Sequence, residues 1–292
     1  MTIVIDTWEQ DRLADLVELA HAAFPAEELT ADELLCCTFA DGPTDAARPR
    51  SAIVLGSNDG DAAIAAILRD STRGPIAHVQ FVAVHPGARR QGLGRALLVA
   101  MEDWAREQEA NELALGAAAP FYLWPGVDVR WTPALCLAEA ADFGVRGAEL
   151  NLSCPTTFRA EAPDGVEIRR ATGESDAQAT VAFAELACPS WVPELERSLD
   201  HASAFGAFVD DTAVAFACHS VNRMGWIGPM AVDPAHGGRG IGSALLGEVC
   251  RDLMVAGYRT AEIAWVGPVS FYAKAAGASV SRVFRTFAKT LQ

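Results

Sequence analysis

The chain has 292 residues, of which 51% are hydrophobic and 21% are charged, and its formal net charge is −15. At about 150 residues per domain this length predicts two domains, and the apolar fraction excludes disorder as the main state. The acidic balance argues against nucleic acid as a partner, because phosphate binding needs clustered Lys and Arg. It serves solubility, and it also suits a cationic small molecule or a basic peptide.

Hydrophobic patterning predicts a strand-and-helix order in the first half of the chain. The predicted elements are a strand at 2–6, a helix at 12–24, strands at 51–56, 62–70 and 76–84, a helix at 94–107, a strand at 112–116 and a helix at 134–143.

The second half repeats this order after a polar, proline-containing link at 154–164. Its predicted elements are a strand at 165–171, a helix at 175–187, strands at 205–211, 212–221 and 225–232, a helix at 242–255 and a strand at 261–266. The predicted domains are therefore residues 1–156 and 157–292.

A direct internal repeat supports two copies of one domain. The segments AVHPGARRQGLGRALL at 83–98 and AVDPAHGGRGIGSALL at 231–246 align without a gap at a shift of 148, with eight of sixteen positions identical. A solenoid is a poorer explanation, because solenoid repeats are about 20–50 residues long.

Each copy places a glycine-rich turn between a strand and a helix, an arrangement that can hold a phosphate. Alternate glycines let the backbone approach an anion, and the helix N-terminus adds unpaired N–H groups and partial positive charge. Arg89 and Arg90 are candidates to pair with phosphate oxygens. The motif lacks G-K-[ST] and is not a P-loop, and it does not follow the G-x-G-x-x-G dinucleotide pattern. An ordinary tight connection remains the alternative.

The segment V-x-P-x-x-R-R-Q-G-L-G-x-A-L-L at 84–98 resembles the acyl-coenzyme A pyrophosphate loop of GCN5-related N-acetyltransferases (GNAT proteins). With the repeated element order, the resemblance covers nearly the whole chain as two tandem GNAT-like domains. It implies an α/β (α+β) fold class, in which each domain has a mixed, splayed central sheet flanked by helices. It also implies acetyl-CoA as co-substrate, with the loop holding the pyrophosphate and the preceding strand pairing with the pantetheine.

The resemblance transfers these binding roles to matching positions in both copies. In the first copy they are Val82, Ala83, Val84, Arg89, Arg90, Gln91, Gly92, Leu93, Gly94 and Arg95. In the second copy they are Met230, Ala231, Val232, Gly237, Gly238, Arg239, Gly240, Ile241, Gly242 and Ser243. The second copy departs from the motif, because Gly237 stands where the first has Arg89 and its arginine has moved to Arg239.

Tyr272 is the candidate general acid. The segment Phe271–Ala278 resembles the F-Y-x-K-x-G-F segment of the family, in which the tyrosine protonates the departing thiolate; Ala278 replaces the aromatic residue. The alternative is that Tyr272 only packs. The corresponding helix of the first half has no tyrosine, but that half has Tyr122 in an insertion, PFYLWPGVD, that either covers its cleft or packs on the other domain.

Glu262 is the candidate general base, on the strand after the second loop helix. The alternative that Glu262 only lies on an exposed strand face has equal weight with the role as a base. Bulk water can also accept the proton. Asp233 and His85 flank the two loops, and we expect both to be turn residues. We expect His219 to be a core or cleft histidine whose hydrogen bonds are satisfied. Trp191 lies where the family forms its acceptor pocket.

Cysteine usage and hydropathy predict the compartment. Seven cysteines without a C-x-x-C pair predict neither a disulfide framework nor a zinc site, so no metal is expected. The first eleven residues predict no signal peptide. The longest uncharged stretch, 113–127, is shorter than about 18 residues, so no membrane partner is expected. The expected compartment is the cytoplasm.

The predicted function is transfer of an acetyl group from acetyl-CoA to a primary amine of a small molecule or peptide, directly within a ternary complex. The second domain is expected to bear the acceptor chemistry, because it has the better acid, although the first has the better loop. The opposite assignment, a longer acyl chain, and a non-catalytic acyl-CoA-binding or scaffold protein with a degenerate domain remain alternatives. The sequence does not name the acceptor, and it leaves monomer or homodimer open.

Overall fold

The computed structural model describes residues 3–39 and 49–291 of the chain. The chain divides into two compact units, each with its own hydrophobic core. The first unit comprises Met1–Glu149 and Val283–Gln292, and the second comprises Leu150–Arg282. No helix in the described ranges is both long enough and apolar enough to cross a membrane.

The secondary structure alternates between strands and helices. The helices are α1 (Leu13–Ala23), α2 (Ala31–Thr38), α3 (Leu93–Glu107), α4 (Thr132–Ala140), α5 (Glu174–Ala187), α6 (Val192–Asp200), α7 (Ile241–Val255) and α8 (Val269–Ala276). The strands are β1 (Ile5–Thr7), β2 (Ser51–Ser57), β3 (Ala62–Arg69), β4 (Ile76–Val84), β5 (Glu112–Leu115), β6 (Val127–Asp128), β7 (Gly144–Pro155), β8 (Glu167–Arg170), β9 (Ala204–Val209), β10 (Thr212–His219), β11 (Trp226–Val232), β12 (Thr260–Ile263) and β13 (Ser279–Thr290).

The two loop helices are amphipathic and cover their own sheets. In α3 the buried apolar residues are Leu97, Leu98, Met101, Trp104 and Ala105, which recur at the spacing of one helix face. The bounds of α7 are those of α3 shifted by 148, and its buried residues include the matching pair Leu245 and Leu246. The repeat in the sequence is therefore a repeat in structure.

The sheet of the first unit has the order β1-β2-β3-β4-β5-β13. The register of β4 and β5 is parallel and pairs Ile76–Val79 with Glu112–Leu115. Beyond Val79 the two strands diverge, which opens a cleft between their carboxyl ends.

The sheet of the second unit has the order β8-β9-β10-β11-β12-β7 and a parallel β11–β12 pair. Its register joins Trp226 and Ile227 to Glu262 and Ile263, after which the strands diverge. The predicted fold class is confirmed: each of two tandem domains has a mixed, splayed central sheet flanked by helices.

The units differ from the predicted ranges 1–156 and 157–292 in two exchanged segments. The end of β7 belongs to the second unit, where Cys154 pairs with Ala261, and the end of β13 belongs to the first, where Phe287 pairs with Leu115. The predicted link at 154–164 therefore begins with strand residues. Pro155 ends the strand, where a missing N–H removes little from the ladder.

Candidate functional site

The turn after β11 has a backbone shape that suits glycine. A 3₁₀ turn at Pro234–His236 follows the strand, and α7 begins at Ile241. Gly238 and Gly240 have φ angles of +74° and +92°, in the left-handed region that residues with a Cβ rarely adopt. A Cβ on either glycine would meet nothing within 4 Å. The turn therefore presents bare backbone to an approaching group.

Unpaired N–H groups collect at the start of α7. The first helical bond shown there runs from the Ala244 N–H to the Gly240 carbonyl. The preceding N–H groups of the helix have no carbonyl to bond within it, and the positive end of the helix dipole lies beside them. Backbone geometry and electrostatics at this turn favour a bound anion, and the pyrophosphate-binding role of the turn stays a prediction.

The edge of β11 that faces the cleft carries free backbone groups. The Asp233 N–H donates to the Val214 carbonyl on β10 at 2.8 Å. Backbone groups alternate between the two edges of a strand, so Ala231 also faces β10, whereas Met230 and Val232 face the cleft. The pairing with β12 has ended before this point. An extended ligand can therefore pair with β11 as an added strand would.

A cavity of about 690 Å³ brings the turn and this strand edge together with the start of α8. The segment Ala264–Pro268, which follows β12, also lines it, as do Phe271 and Tyr272. Trp191, in the 3₁₀ turn at Pro189–Trp191, also lines it. Among the described residues that line the cavity, the titratable side chains are His236 and Tyr272.

Tyr272 lines the cavity with a hydroxyl that stays protonated, and its role as general acid stays a prediction. Its side chain lines the cavity and is 7% exposed. Burial, with a smaller contribution from Cys154, raises the pKa of Tyr272 to about 12. The hydroxyl therefore keeps its proton over the ordinary working range of pH and can donate it, or a hydrogen bond, to a group that gains negative charge.

Glu262 lies on β12 outside the set of cavity-lining residues. Its Oε1 accepts a hydrogen bond from Asn151 Nδ2 and lies 3.8 Å from Arg282 Nη1. Asn151 Oδ1 accepts a hydrogen bond from the backbone N–H of Trp265 at 2.8 Å. Trp265 lines the cavity and has a φ of +47°, a left-handed conformation unfavourable by about 1–2 kcal/mol for a residue with a Cβ. These contacts favour a positioning role for Glu262, and its role as a base stays a prediction.

Two substitutions at Glu262 separate positioning from base catalysis. We expect Glu262→Gln to keep turnover within about threefold, because its amide oxygen still accepts from Asn151, and Glu262→Ala to lose about tenfold or more. Steady-state kinetics on both variants decide the point. A general base would instead lose about 100-fold or more in both, since neither variant can accept a proton.

The turn after β4 in the first unit has the same backbone shape as its counterpart. Arg90 and Gly92 have φ angles of +68° and +90°, close to those of Gly238 and Gly240. In this copy an arginine thus occupies one left-handed position. The repeat is conserved in backbone conformation even where the side chains differ.

Arg89 is engaged by the backbone of its own unit. Its Nε donates to the Val84 carbonyl at 3.2 Å, and its Nη2 donates to the Ala23 carbonyl at the end of α1 at 3.4 Å. Val84 is at the end of the strand predicted to pair with pantetheine. In the second unit Gly237 has no side chain to make such bonds, so the apparently weaker motif leaves the corresponding strand edge open.

Aromatic rings narrow the cleft of the first unit. Its cavity measures about 70 Å³, and its lining includes Phe24, Trp124 and Trp131. Their ring centroids lie 4.8–5.1 Å apart, and the indole N–H of Trp124 donates to Glu27 Oε2 at 3.1 Å. Trp124 belongs to the insertion PFYLWPGVD, which therefore covers the cleft of its own unit.

The predicted binding residues divide by their position relative to the cavities. In the second unit the residues that line the large cavity are Met230, Val232, Gly237, Gly238, Gly240, Ile241, Gly242 and Ser243. Ala231 faces β10, and Arg239 donates to the Asp164 carbonyl at 3.4 Å. In the first unit Val82 lines the small cavity, and the residues outside its lining are Ala83, Val84, Arg89, Arg90, Gln91, Gly92, Leu93, Gly94 and Arg95.

The flanking polar residues have structural partners. His85 Nδ1 accepts from the Gly87 N–H at 3.2 Å, and Asp233 takes the same role in the second copy, which confirms both as turn residues. His219 Nε2 lies 2.8 Å from Asp252 Oδ2 on α7, so it is a satisfied histidine outside the cavity lining. Within the described ranges, no three His, Cys, Asp or Glu side chains form a group that could hold a metal.

Comparison with protein families identifies the class. The sequence matches the Acetyltransferase (GNAT) family over residues 13–122 and again over 173–277, which together make up well over half of the chain. The chain therefore belongs to the GNAT family, as two tandem domains, and this membership indicates acyl transfer. Among curated proteins, none matches the sequence significantly.

Solved structures share the fold at low identity. A GNAT glucosamine N-acetyltransferase region of a fungal multidomain β-N-acetylglucosaminidase superposes with a TM-score of 0.76 at 17% identity; the match covers 99% of this chain and 38% of that one. A tandem GNAT protein of the clavulanic acid biosynthesis pathway has a TM-score of 0.72 at 16% identity, covering 100% and 99%. A GNAT protein from Sphaerobacter thermophilus has a TM-score of 0.68 at 20% identity, covering 99% and 96%.

Proposed function

We propose that the protein transfers an acetyl group from acetyl-CoA to a primary amine of a small molecule or peptide, by direct transfer in a ternary complex. We place the reaction in the cleft of the second unit. The observation that carries this proposal is the cavity of about 690 Å³ that joins the glycine turn, the free edge of β11 and Tyr272. In the first unit the cavity between the diverging strands measures about 70 Å³ and does not include the glycine turn.

The residues of the second unit fit coenzyme A. The backbone from Gly238 to Ser243 would hold the pyrophosphate, with the helix N-terminus supplying positive charge. Met230 and Val232 would pair with the pantetheine amides. Acetyl-CoA supplies the acetyl thioester, and Tyr272 donates to the sulfur as it leaves.

The proposal also covers the partner, the oligomeric state and the compartment. An amine acceptor is the partner, with no role for nucleic acid or a membrane, and the protein works as a monomer or homodimer in the cytoplasm. None of the seven cysteines forms a disulfide, and the sulfur atoms of Cys154 and Cys250 lie 3.6 Å apart at hydrogen-bond distance. A reducing compartment suits such a pair.

A transfer assay tests the proposal against a non-catalytic alternative. The full chain is incubated with acetyl-CoA and a panel of amines, and both CoA thiol release and acetylated product are measured. We expect product from at least one amine. Binding of acetyl-CoA without transfer to any amine would favour a non-catalytic acyl-CoA-binding protein.

A further inference from the structure

The cleft of the second unit has aromatic walls. Trp265, Phe271 and Tyr272 line the cavity, and Trp191 contributes from the turn before α6. Trp191 is 37% exposed, as expected for a ring at the mouth of a cleft. Flat, apolar rings at these positions suit a flat, apolar partner.

Trp265 is held in place by hydrogen bonds through Asn151. Asn151 is fully buried, and it joins Glu262 on one side to the Trp265 backbone on the other. Unfavourable backbone conformations such as that of Trp265 persist where the surroundings determine them, and they cluster at ligand sites. The position of Trp265 in the cavity lining is therefore fixed by specific contacts.

The titratable groups of the cavity do not match a cationic acceptor. His236 lies in the loop turn, where its Nδ1 is 3.5 Å from Asp233 Oδ2, and Tyr272 is a proton donor. Glu262 and Arg282 lie outside the cavity lining, and Glu262 Oε1 is 3.8 Å from Arg282 Nη1. An alkyl amine has a pKa near that of lysine, about 10.4, so it arrives protonated and must lose that proton before it can react. An arylamine is neutral near pH 7, because its nitrogen lone pair is conjugated with the ring.

We propose that the acceptor of this cleft is an arylamine, a weakly basic aromatic amine that enters uncharged between the aromatic walls. This inference rests on the proposed acetyl transfer. The amine nitrogen forms a bond to the thioester carbonyl carbon, and the carbon–sulfur bond breaks. The sulfur takes a proton from Tyr272, and the proton lost by the nitrogen returns to the tyrosine oxygen through solvent. The products are the N-aryl acetamide and free CoA thiol.

The test compares aniline with benzylamine, which share a ring but differ in basicity. Both are assayed with the full chain and saturating acetyl-CoA from about pH 6 to about pH 9. We expect the kcat/KM for aniline at pH 7 to exceed that for benzylamine by about tenfold or more, because most benzylamine is protonated. The benzylamine-to-aniline ratio should rise by about tenfold per pH unit, and this ratio cancels any titration of the protein itself.

The possible failures are distinguishable. Calorimetry with acetyl-CoA alone tests the proposed function. Absence of binding would overturn both the proposed acetyl transfer and the arylamine acceptor. If acetyl-CoA binds but benzylamine is the better substrate at pH 7, or neither amine is acetylated, the arylamine proposal is wrong while the coenzyme site stands.

Trp191→Ala tests the aromatic wall. We expect the KM for aniline to rise by about tenfold with the Kd for acetyl-CoA unchanged, because one face of the ring site is lost. Leu186→Ala is the matched control, since Leu186 is 89% exposed near the same turn and does not line the cavity. An unchanged KM in Trp191→Ala would overturn the wall as an acceptor site.

Discussion

Replacing Tyr272 by phenylalanine is expected to lower kcat by about 100-fold or more, because it removes the hydroxyl that donates to the leaving sulfur. The ring still fills its place in the cavity lining, so the Kd for acetyl-CoA should stay within about twofold. Steady-state kinetics and calorimetry on the same preparation measure the two effects.

Tyr258→Phe is the matched control for that experiment. Tyr258 belongs to the same unit and packs against its core, but it does not line the cavity. We expect kcat within about twofold of the unsubstituted protein. Equal activity in Tyr272→Phe and Tyr258→Phe would remove Tyr272 as the acid.

The pH profile carries a further expectation for Tyr272. Burial raises the pKa of Tyr272 to about 12, so the hydroxyl stays protonated as the pH rises, and this group causes no loss of activity below about pH 10. A loss of activity near pH 8 that is present in the unsubstituted protein and absent from Tyr272→Phe would contradict the raised pKa of Tyr272.

Gly240→Glu is expected to weaken acetyl-CoA binding by about 100-fold or more. The substitution places a carboxylate at the turn that would hold the pyrophosphate, and like charges about 4 Å apart near a surface repel by about 4 kcal/mol. The loss should appear as a raised KM for acetyl-CoA and in direct titration.

Gly92→Glu provides a control with the same backbone. Gly92 and Gly240 have φ angles of +90° and +92° and each precedes the loop helix of its unit, so both substitutions impose similar strain. We expect similar losses of thermal stability in the two variants but normal acetyl-CoA binding in Gly92→Glu. Loss of binding in Gly92→Glu alone would assign the working site to the first unit.

Local features of the site follow from the sequence. The glycine turn and the start of the helix after it depend on neighbouring residues, so the spacing around Gly92 and Gly240 predicts both, and the shift of 148 predicts that they match. The cleft position of Tyr272 follows from the family resemblance together with its place at the start of the last helix.

Features that join distant residues do not follow from the sequence. The exchange of the β7 and β13 ends depends on pairings such as Phe287 with Leu115, which no local pattern specifies. From the sequence, Glu262 is a carboxylate on a strand with no assigned partner. The structure shows that it accepts a hydrogen bond from Asn151, which lies more than a hundred positions earlier. The arginine-rich loop motif predicts the better phosphate grip in the first unit, but Arg89 bonds to its own backbone instead.

The filled cleft of the first unit is also a tertiary property. Phe24 comes from the end of α1, and Trp124 and Trp131 come from a segment about a hundred residues later. The insertion is visible in the sequence, whereas the packing of its rings on Phe24 is not. This packing supports the choice of the second unit, because the unit with the weaker loop motif has the larger cavity.

Calorimetric titration of the full chain with acetyl-CoA tests most directly whether only the second unit has a working site. We expect one binding site per chain, since the cavity of the second unit is about 690 Å³ and that of the first about 70 Å³. Two sites per chain, or one site that survives Gly240→Glu, would contradict the assignment to the second unit, and zero sites would contradict the coenzyme site altogether.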